Sequence, residues 1–288
     1  MMEKVSTDLV NTKLNELGLV LSPEIQYRLE TVFSGNDEDV KAQEVRKKFE
    51  LVTQIEPVLV SMLLKDEQVL FVSKGEIRFR KTIIVLTNLR LLLMNADRYE
   101  HCIQPYWSIY YSQVKTLTDS WIGTPQFRLI DGTKMTFNDF PKQDRLSLRT
   151  VFQEVAELLK KADFDPAVSQ SRENLCGNCF EVVPQPSYEC EACGATFWTP
   201  AEMGFRCLIF PPWEDFVLKE NRHAWNSLVT YLACQAMAFQ ILSQRGFAYA
   251  WLILAISNAC AALVALNQMI KGRYIKDVST LISSEFEK

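Results

Sequence analysis

Four cysteines are the residues of this chain whose type and spacing most clearly indicate chemistry. Cys176 and Cys179, followed by Cys190 and Cys193, give the pattern C-x2-C-x10-C-x2-C. Zinc prefers four soft ligands in a tetrahedron, and two residues between cysteines let one tight turn direct both sulfurs at the same ion. The residues between the two pairs are enough for a short β-hairpin that returns the second pair to the metal. The spacing therefore predicts a zinc ribbon.

The predicted Zn²⁺ is structural. Cysteines take all four coordination positions, so none remains open for water or substrate. A segment this short cannot bury enough apolar surface to fold alone, and zinc binding supplies about 10–16 kcal/mol in comparable peptides. Gly194 follows the second pair, where a left-handed backbone favours glycine, whereas Phe180 takes that place after the first. The alternatives are a redox dithiol and an iron site.

Other residues that often do chemistry show no catalytic pattern. The remaining cysteines have no paired spacing and are predicted to be buried small residues: Cys102, Cys207, Cys234 and Cys260. The two histidines, His101 and His223, have no Ser or Cys nucleophile at motif spacing. We therefore expect that the protein is not an enzyme.

The C-terminal quarter is the most apolar part of the chain. Residues 246–270 contain no charge, and as a helix they would measure about 37 Å, more than the ~30 Å hydrocarbon thickness of a bilayer. Residues 224–243 are also uncharged, although they contain Asn226, Gln235 and Gln240. The prediction is a transmembrane hairpin of two helices. Two buried helices of a soluble bundle are the alternative.

Basic residues predict the orientation of this hairpin, because Lys and Arg stay on the cytoplasmic side of a membrane. Five flank its outer ends and one lies in its turn: Lys219, Arg222, Lys271, Arg273 and Lys276 outside, and Arg245 inside. The start of the chain lacks the basic and apolar regions of a cleaved signal peptide. We expect an integral membrane protein whose N-terminal domains and C-terminus are cytoplasmic, which agrees with reduced, metal-binding thiols.

The middle of the chain has a strand pattern. Residues 68–140 contain short β-branched and bulky runs, with turn-type residues at Lys74-Gly75 and Thr87-Asn88. Asp131-Gly132 between two alternating runs predicts a hairpin with a type I′ turn. An amphipathic helix follows at residues 142–161. These elements predict a small barrel closed by one helix.

The stretches GEIRFRKTIIVLTNLRLLLM and SWIGTPQFRLIDGTKMTF, with the helix after them, resemble the pleckstrin-homology-like superfold in its GRAM and bacterial variants. The resemblance implies a module that binds or scaffolds rather than an enzyme. In lipid-binding members, a basic cluster at the first strand turn holds phosphoinositide headgroups. The resemblance implies such a site at Lys74, Arg78, Arg80 and Lys81. The alternative is an ordinary solvated strand face.

The expected fold class is α+β multidomain. The predicted domains are an N-terminal helical segment (1–64), a PH/GRAM-like β-barrel with a C-terminal helix (65–162), a linker (163–174), the zinc ribbon (175–200), a juxtamembrane segment (201–223), the transmembrane helical hairpin (224–270) and a cytoplasmic tail (271–288). The order of ribbon, IFPPWEDF and apolar pair resembles a group of bacterial membrane proteins that carry a cytosolic zinc ribbon before a hydrophobic hairpin.

Two functions fit these features. The first is a membrane-anchored, zinc-stabilised adaptor or scaffold with a cytosolic PH-like domain, whose partners are the lipid bilayer and either another protein or a second copy of this chain. The second is a structural subunit of a larger membrane transport or envelope complex. The second function is favoured by side-chain amides in the apolar stretches, because amides in hydrocarbon need partners. These amides are Asn226, Gln235, Gln240 and Asn258. The net charge of −4, with no Lys or Arg between Leu175 and Phe197, argues against nucleic-acid binding.

Overall fold

The computed structural model describes residues 38–65, 67–77, 80–96, 102–217, 221–245 and 247–276. Within them it contains antiparallel sheets and six α-helices, so the predicted mixed α+β class is confirmed. The chain divides into two units. The first holds the described residues up to Cys176 and Phe180–Gln185, and the second holds Gly177–Cys179 and the described residues from Pro186 onward.

The first unit contains two α-helices and nine strands among the residues described. In chain order these are α1 (Glu38–Met62), β1 (Val69–Ile77), β2 (Arg80–Thr87), β3 (Arg90–Ala96), β4 (Cys102–Tyr110), a 3₁₀ turn (Tyr111–Gln113), β5 (Val114–Asp119), β6 (Pro125–Leu129), β7 (Lys134–Thr136), α2 (Lys142–Lys161), β8 (Glu173–Leu175) and β9 (Val182–Val183). Helix α1 lies in the region predicted to be helical. Residues 1–37 of that region lie outside the described residues, as do Arg78 and His101.

Six antiparallel strands form the main sheet, in the order β1-β2-β3-β4-β8-β9. Helix α1 packs on one face through Val52, Ile55 and Leu59. The other face is covered by residues from β5–β7 and α2, including Phe127 and Phe152. Because both faces of the sheet are covered, β2 and β3 are buried at nearly every position instead of alternating between buried and exposed residues.

The predicted closed barrel is wrong. Strands β5, β6 and β7 form a sheet of their own, and β4 pairs with β8 instead of continuing the ladder to β5. Among the described residues, an isolated bridge between Glu76 and Asn138 is the backbone pairing between the two layers. The 3₁₀ turn after β4 redirects the chain and leaves the edge of β4 open to β8.

The hairpin predicted at Asp131-Gly132 is confirmed, but its turn differs from the prediction. Gly132 has a φ of 85° and donates to the Leu129 carbonyl at 3.1 Å, which closes a loop that begins at Ile130. A type I′ turn needs positive φ at both central residues, and Asp131 does not have it. Instead, the Asp131 carboxylate accepts from the Thr133 amide at 2.8 Å, a bond that aspartate favours in turns.

The turn predicted at Lys74-Gly75 does not form, because β1 continues through both residues. A Cβ at Gly75 would lie 3.1 Å from the Phe140 ring, so the glycine permits close packing inside a strand. The turn predicted at Thr87-Asn88 is confirmed, since it joins β2 to β3.

A buried ion pair ties α1 to the main sheet. Arg90 Nε and Nη2 each lie 3.0 Å from an oxygen of Glu67. Nη2 also donates at 2.8 Å to the carbonyl of Met62, the last residue of α1, where helical carbonyls lack partners. Thr87 Oγ1 and the Leu64 amide donate to the same carboxylate at 2.7 and 2.8 Å. This network of hydrogen bonds holds the C-terminus of α1 against β3.

Part of the predicted linker belongs to the main sheet. Glu173, Asn174 and Leu175 form β8 and are all buried, with Asn174 opposite Trp107 of β4. An unpaired strand edge exposes a row of backbone amides and carbonyls. Strand β8 covers this edge of β4 by pairing with it. The first cysteine pair therefore begins directly at a strand end.

The second unit contains four helices among its described residues: α3 (Pro200–Ile209), α4 (Trp213–Val217), α5 (Asn221–Arg245) and α6 (Phe247–Lys271). Helices α5 and α6 cover the two predicted apolar stretches. Within the described residues, one helix has the length and composition to cross a membrane, α6 at Tyr249–Asn267. The predicted two-helix transmembrane hairpin is therefore corrected to one candidate span, because the amides of α5 make it too polar.

Candidate metal centre

The structure brings the four predicted zinc ligands together. The Sγ atoms of Cys176, Cys179, Cys190 and Cys193 all lie within 4.8 Å of one another. The Sγ atoms of Cys179 and Cys190 are 3.5 Å apart, too far for a disulfide, which needs about 2.05 Å. Four sulfurs about 2.3 Å from one zinc ion stand about 3.8 Å apart in a tetrahedron. The donor type and spacing therefore fit Zn²⁺ held by four thiolates.

Both cysteine pairs fold into the same tight turn. In the first, the Cys176 amide donates to the carbonyl of Glu181 at 2.8 Å, and the Phe180 amide donates back to Cys176 at 2.9 Å. In the second pair, the amides of Cys190 and Gly194 donate the two equivalent hydrogen bonds, each at 2.8 Å. This repeated turn directs both sulfurs of a pair to one side, as the spacing predicts.

The two turns differ at the residue after the second cysteine. Gly194 has a φ of 70° and Phe180 a φ of 59°. Such a conformation costs a residue with a side chain about 1 kcal/mol or more. The Phe180 ring packs edge-on against Tyr106, with the ring centroids 5.5 Å apart. This aromatic contact offsets the strain that the sequence predicts for the first turn.

The chain after α6 packs against the second half of the ribbon. The Trp198 amide donates to the Tyr274 carbonyl at 2.9 Å, and the Lys276 amide donates to the Thr196 carbonyl at 3.0 Å. Between these bonds, Phe197 pairs with Ile275 as an isolated bridge, and its ring is fully buried. The first residues of the predicted cytoplasmic tail are thus part of the ribbon.

Arg273 anchors this segment from the side. Its Nε donates to the Ser187 carbonyl at 3.0 Å, and its guanidinium lies 4.2 Å from the centre of the Tyr188 ring. The side chain is almost completely buried. A guanidinium stacked on an aromatic ring keeps favourable electrostatic contacts where water is excluded.

Helix α3 begins directly after the ribbon with a capping box. Thr199 Oγ1 accepts from the Glu202 amide at 3.2 Å, and Glu202 accepts from the Thr199 amide at 3.1 Å. Lys276 Nζ lies 2.7 Å from the other Glu202 oxygen. The bond from Lys276 and that from the Thr199 amide lower the pKa of Glu202 to about 2. The cap therefore links α3 to the chain after α6.

The Glu202 contact is expected to weaken in acid. A carboxyl with a lowered pKa stabilises the fold above its ordinary value of 4.5 and loses that contribution as the pH falls toward 2. We expect Glu202→Gln to lower hydrogen-exchange protection of the first turn of α3 at neutral pH. The difference from the native protein should shrink through this pH window. Other effects of acid cancel in this difference, because both proteins share them. A difference that is independent of pH would contradict a stabilising role for the ionised Glu202 carboxylate.

The predicted headgroup residues do not share one strand face. Neighbouring residues of a strand point to opposite faces, and cross-strand partners point to the same face. Glu76 pairs with Lys81, and Lys74 lies two residues before Glu76, so the two lysines share a face with a carboxylate. Arg80 points to the opposite face. Arg78 lies outside the described residues, and the headgroup site stays a prediction.

Sequence spacing missed the residues that attach the ribbon to α6 and α3. Arg273 lies 86 residues from Ser187, and Lys276 lies 74 residues from Glu202. No local pattern signals contacts over such distances, although the pattern T-P-A-E at residues 199–202 does predict the capping box.

Comparison with protein-family models, curated proteins and solved structures gives no match for this chain. The four-thiol cluster and the apolar helix that follows it are therefore the features that indicate a function.

Proposed function

We propose that the protein is a non-enzymatic, membrane-anchored adaptor or scaffold. A structural Zn²⁺ stabilises the ribbon, α6 anchors the chain in the bilayer, and the first unit acts as a PH-like domain that presents a protein- or lipid-binding surface in the cytosol. The order along the chain supports this arrangement, since the four-thiol cluster lies between the sheets and the apolar helix.

Exposure of the most apolar helix is the observation that carries the proposal. Only 17% of the candidate span in α6 is buried. Its exposed residues include Trp251, Leu252, Ile256 and Leu263. A water-soluble protein would bury such a helix, and a contiguous apolar surface of this kind marks contact with lipid or with a partner. The span measures about 28 Å as a helix, close to the hydrocarbon thickness of a bilayer.

Pairing between the ribbon and the chain after α6 supports the proposed orientation. Residues Thr196 and Trp198 bond to Lys276 and Tyr274, so the second half of the ribbon lies on the side of the membrane where α6 ends. Free thiols that bind metal belong in a reducing compartment. We therefore place both the ribbon and the C-terminal end of α6 on the cytoplasmic side.

An exposed aromatic residue supports a binding role for the first unit. Trp121 is 96% exposed in the loop between β5 and β6, and Ile122 beside it is also exposed. Tryptophan is enriched among residues that dominate binding interfaces and at membrane surfaces, because its large ring gains much when it leaves water. This loop is the part of the first unit that we expect to contact a protein or lipid partner.

Carbonate extraction tests the anchor. The native chain should stay in the membrane pellet, whereas the double variant Leu252→Lys/Ile256→Lys should appear in the supernatant. Each central lysine opposes insertion by about 2.5–3.5 kcal/mol. Leu146→Lys, at an exposed site on α2, is the matched control and should remain in the pellet. Release of the native chain by carbonate would refute the anchor.

A subunit of a larger membrane complex is the second candidate. Asn226 and Gln240 are exposed on α5, and amides beside hydrocarbon favour contacts with partner helices. Asn258 does not add to this argument, because it donates to the Leu208 carbonyl of its own chain at 2.9 Å. Native mass measurement in mild detergent separates the candidates: one chain or a simple dimer favours the adaptor, and a larger defined assembly favours the complex.

A further inference from the structure

We propose that α3 and α4 form a re-entrant loop that enters one leaflet of the bilayer beside α6 and returns to the side from which it came. The surface that this loop presents fits the acyl chains of phospholipid. The inference rests on the membrane anchoring proposed above and adds a second embedded element to it.

Three contacts show that α3 runs from the end of α6 toward its middle. At the start of α3, Glu202 pairs with Lys276 beyond the end of α6. Next, Gly204 packs so closely that a Cβ on it would lie 2.9 Å from Leu266. Near the end of α3, the Leu208 carbonyl accepts from Asn258 at 2.9 Å. Asn258 is nine residues from each end of the candidate span, so α3 ends level with the centre of that span.

A second series of contacts shows that the chain then returns. The Phe210 ring lies 5.7 Å from Tyr231 of α5. Further along, Asp215 accepts from the Ser227 hydroxyl. One residue later, the Phe216 ring lies 6.4 Å from Trp225. As the chain advances through α4, its partners on α5 move back toward the start of that helix.

The outward face of α3 is apolar apart from the exposed Arg206. Its inner residues, Met203, Gly204 and Cys207, are buried. On the other side, Phe205, Leu208 and Ile209 are exposed. A helix on a water-soluble surface carries polar residues there. Helix α6, against which α3 packs, also has exposed apolar residues, and the occupant that fits both helices is lipid hydrocarbon.

The reversal between α3 and α4 suits a site without water. Hydrocarbon tolerates irregular backbone only where its polar groups have partners. The Phe210 amide donates to the Arg206 carbonyl at 2.9 Å, and the Trp213 amide donates to the Phe210 carbonyl at 3.0 Å. Pro211 and Pro212 have no amide hydrogen. Every backbone donor from Phe210 to Trp213 is therefore either bonded or missing.

Arg206 marks the boundary between this loop and the aqueous side. Its guanidinium lies 4.7 Å from the Trp198 ring and 5.2 Å from the Trp213 ring. Trp198 precedes α3, so the cation extends back toward the start of the helix. Tryptophan rings and extended arginine side chains concentrate where headgroups meet hydrocarbon. The residues between Arg206 and Trp213 are then the part that enters the leaflet.

Depth-dependent quenching tests the re-entrant loop in the full-length protein reconstituted into phosphatidylcholine vesicles. A fluorescent amino acid that emits outside the tryptophan range replaces one exposed residue at a time: Phe205, Ile209, Ile256 of α6 or Leu146 of α2. The vesicle lipids carry bromine either near the headgroup end or near the methyl end of the acyl chains. Ile256 reports the anchor, and Leu146 is the aqueous control.

We expect methyl-end bromine to quench the label at Ile209 more strongly than headgroup-end bromine does, as at Ile256. The ratio of deep to shallow quenching should be lower at Phe205, which is one helical turn nearer the surface, and Leu146 should not respond. Quenching at Ile256 with none at Ile209, or only shallow quenching there, would overturn the re-entrant loop and leave the anchor intact. Loss of quenching at both sites would refute both proposals.

Discussion

Replacing Cys190 with serine is expected to abolish zinc binding and unfold the ribbon. Cys190 is buried within the four-thiol cluster, and a hydroxyl is a far poorer zinc ligand than a thiolate. Zinc binding supplies about 10–16 kcal/mol of folding free energy to comparable small folds. The short ribbon cannot gain as much from apolar burial, so it should unfold when zinc is lost. Elemental analysis should find one Zn²⁺ per native chain and almost none in Cys190→Ser.

Cys260→Ser is the matched control, because Cys260 lies outside the cluster and is an exposed thiol of α6, so its predicted burial is wrong. It should keep the metal. A strong chelator should reproduce the Cys190→Ser effect in the native protein by opening residues 175–198 to protease. Cleavage there should leave the C-terminal fragment in the membrane pellet. A native chain that contains no zinc, or a Cys190→Ser chain that retains it, would refute the metal centre.

Replacing Arg90 with methionine is expected to destabilise the first unit by about 3–5 kcal/mol, the usual effect of removing one partner of a buried ion pair. The change leaves the Glu67 carboxylate buried without its two bonds of 3.0 Å and removes the donor to the Met62 carbonyl. Hydrogen exchange of β2 and β3 in the full-length protein measures the loss as a lower free energy of opening.

A surface pair gives the control. Arg149 and Asp119 also form an ion pair, but both side chains are more than a third exposed, and such pairs contribute at most about 1 kcal/mol. Arg149→Met should therefore have little effect. The double variant Glu67→Gln/Arg90→Met should lose less than the sum of its single changes, since it buries no unpaired charge. Equal losses in Arg90→Met and Arg149→Met would show that the buried network does not stabilise α1 on the sheet.

The features that the sequence predicts correctly depend on neighbours within a few residues. Two residues between cysteines determine the geometry of each metal turn, and Asp131-Gly132 marks a reversal between alternating runs. The long uncharged stretch at residues 246–270 predicts helix α6 and its candidate span. Each signal is local, because the backbone conformation of a turn or helix follows largely from the side chains of its own residues.

The predictions that failed concern choices between distant partners. The barrel is open because β4 pairs with β8, more than sixty residues further along the chain, instead of continuing to β5. Gly75 has the composition of a turn, yet the Phe140 ring requires the space beside it. In both cases the competing local conformations are close in energy, and burial against another part of the chain decides between them.

The sequence by itself determined the four thiols, the apolar helix and their order along the chain, because spacing and hydropathy are local properties. Only the tertiary structure decided that Arg273 stacks on Tyr188 and that Asn258 meets the end of α3. Many pairings of a cation with an aromatic ring, or of an amide with a carbonyl, are chemically equivalent in the sequence. Packing selects one of them, because the pairing that forms must be compatible with close packing of the apolar faces throughout the fold.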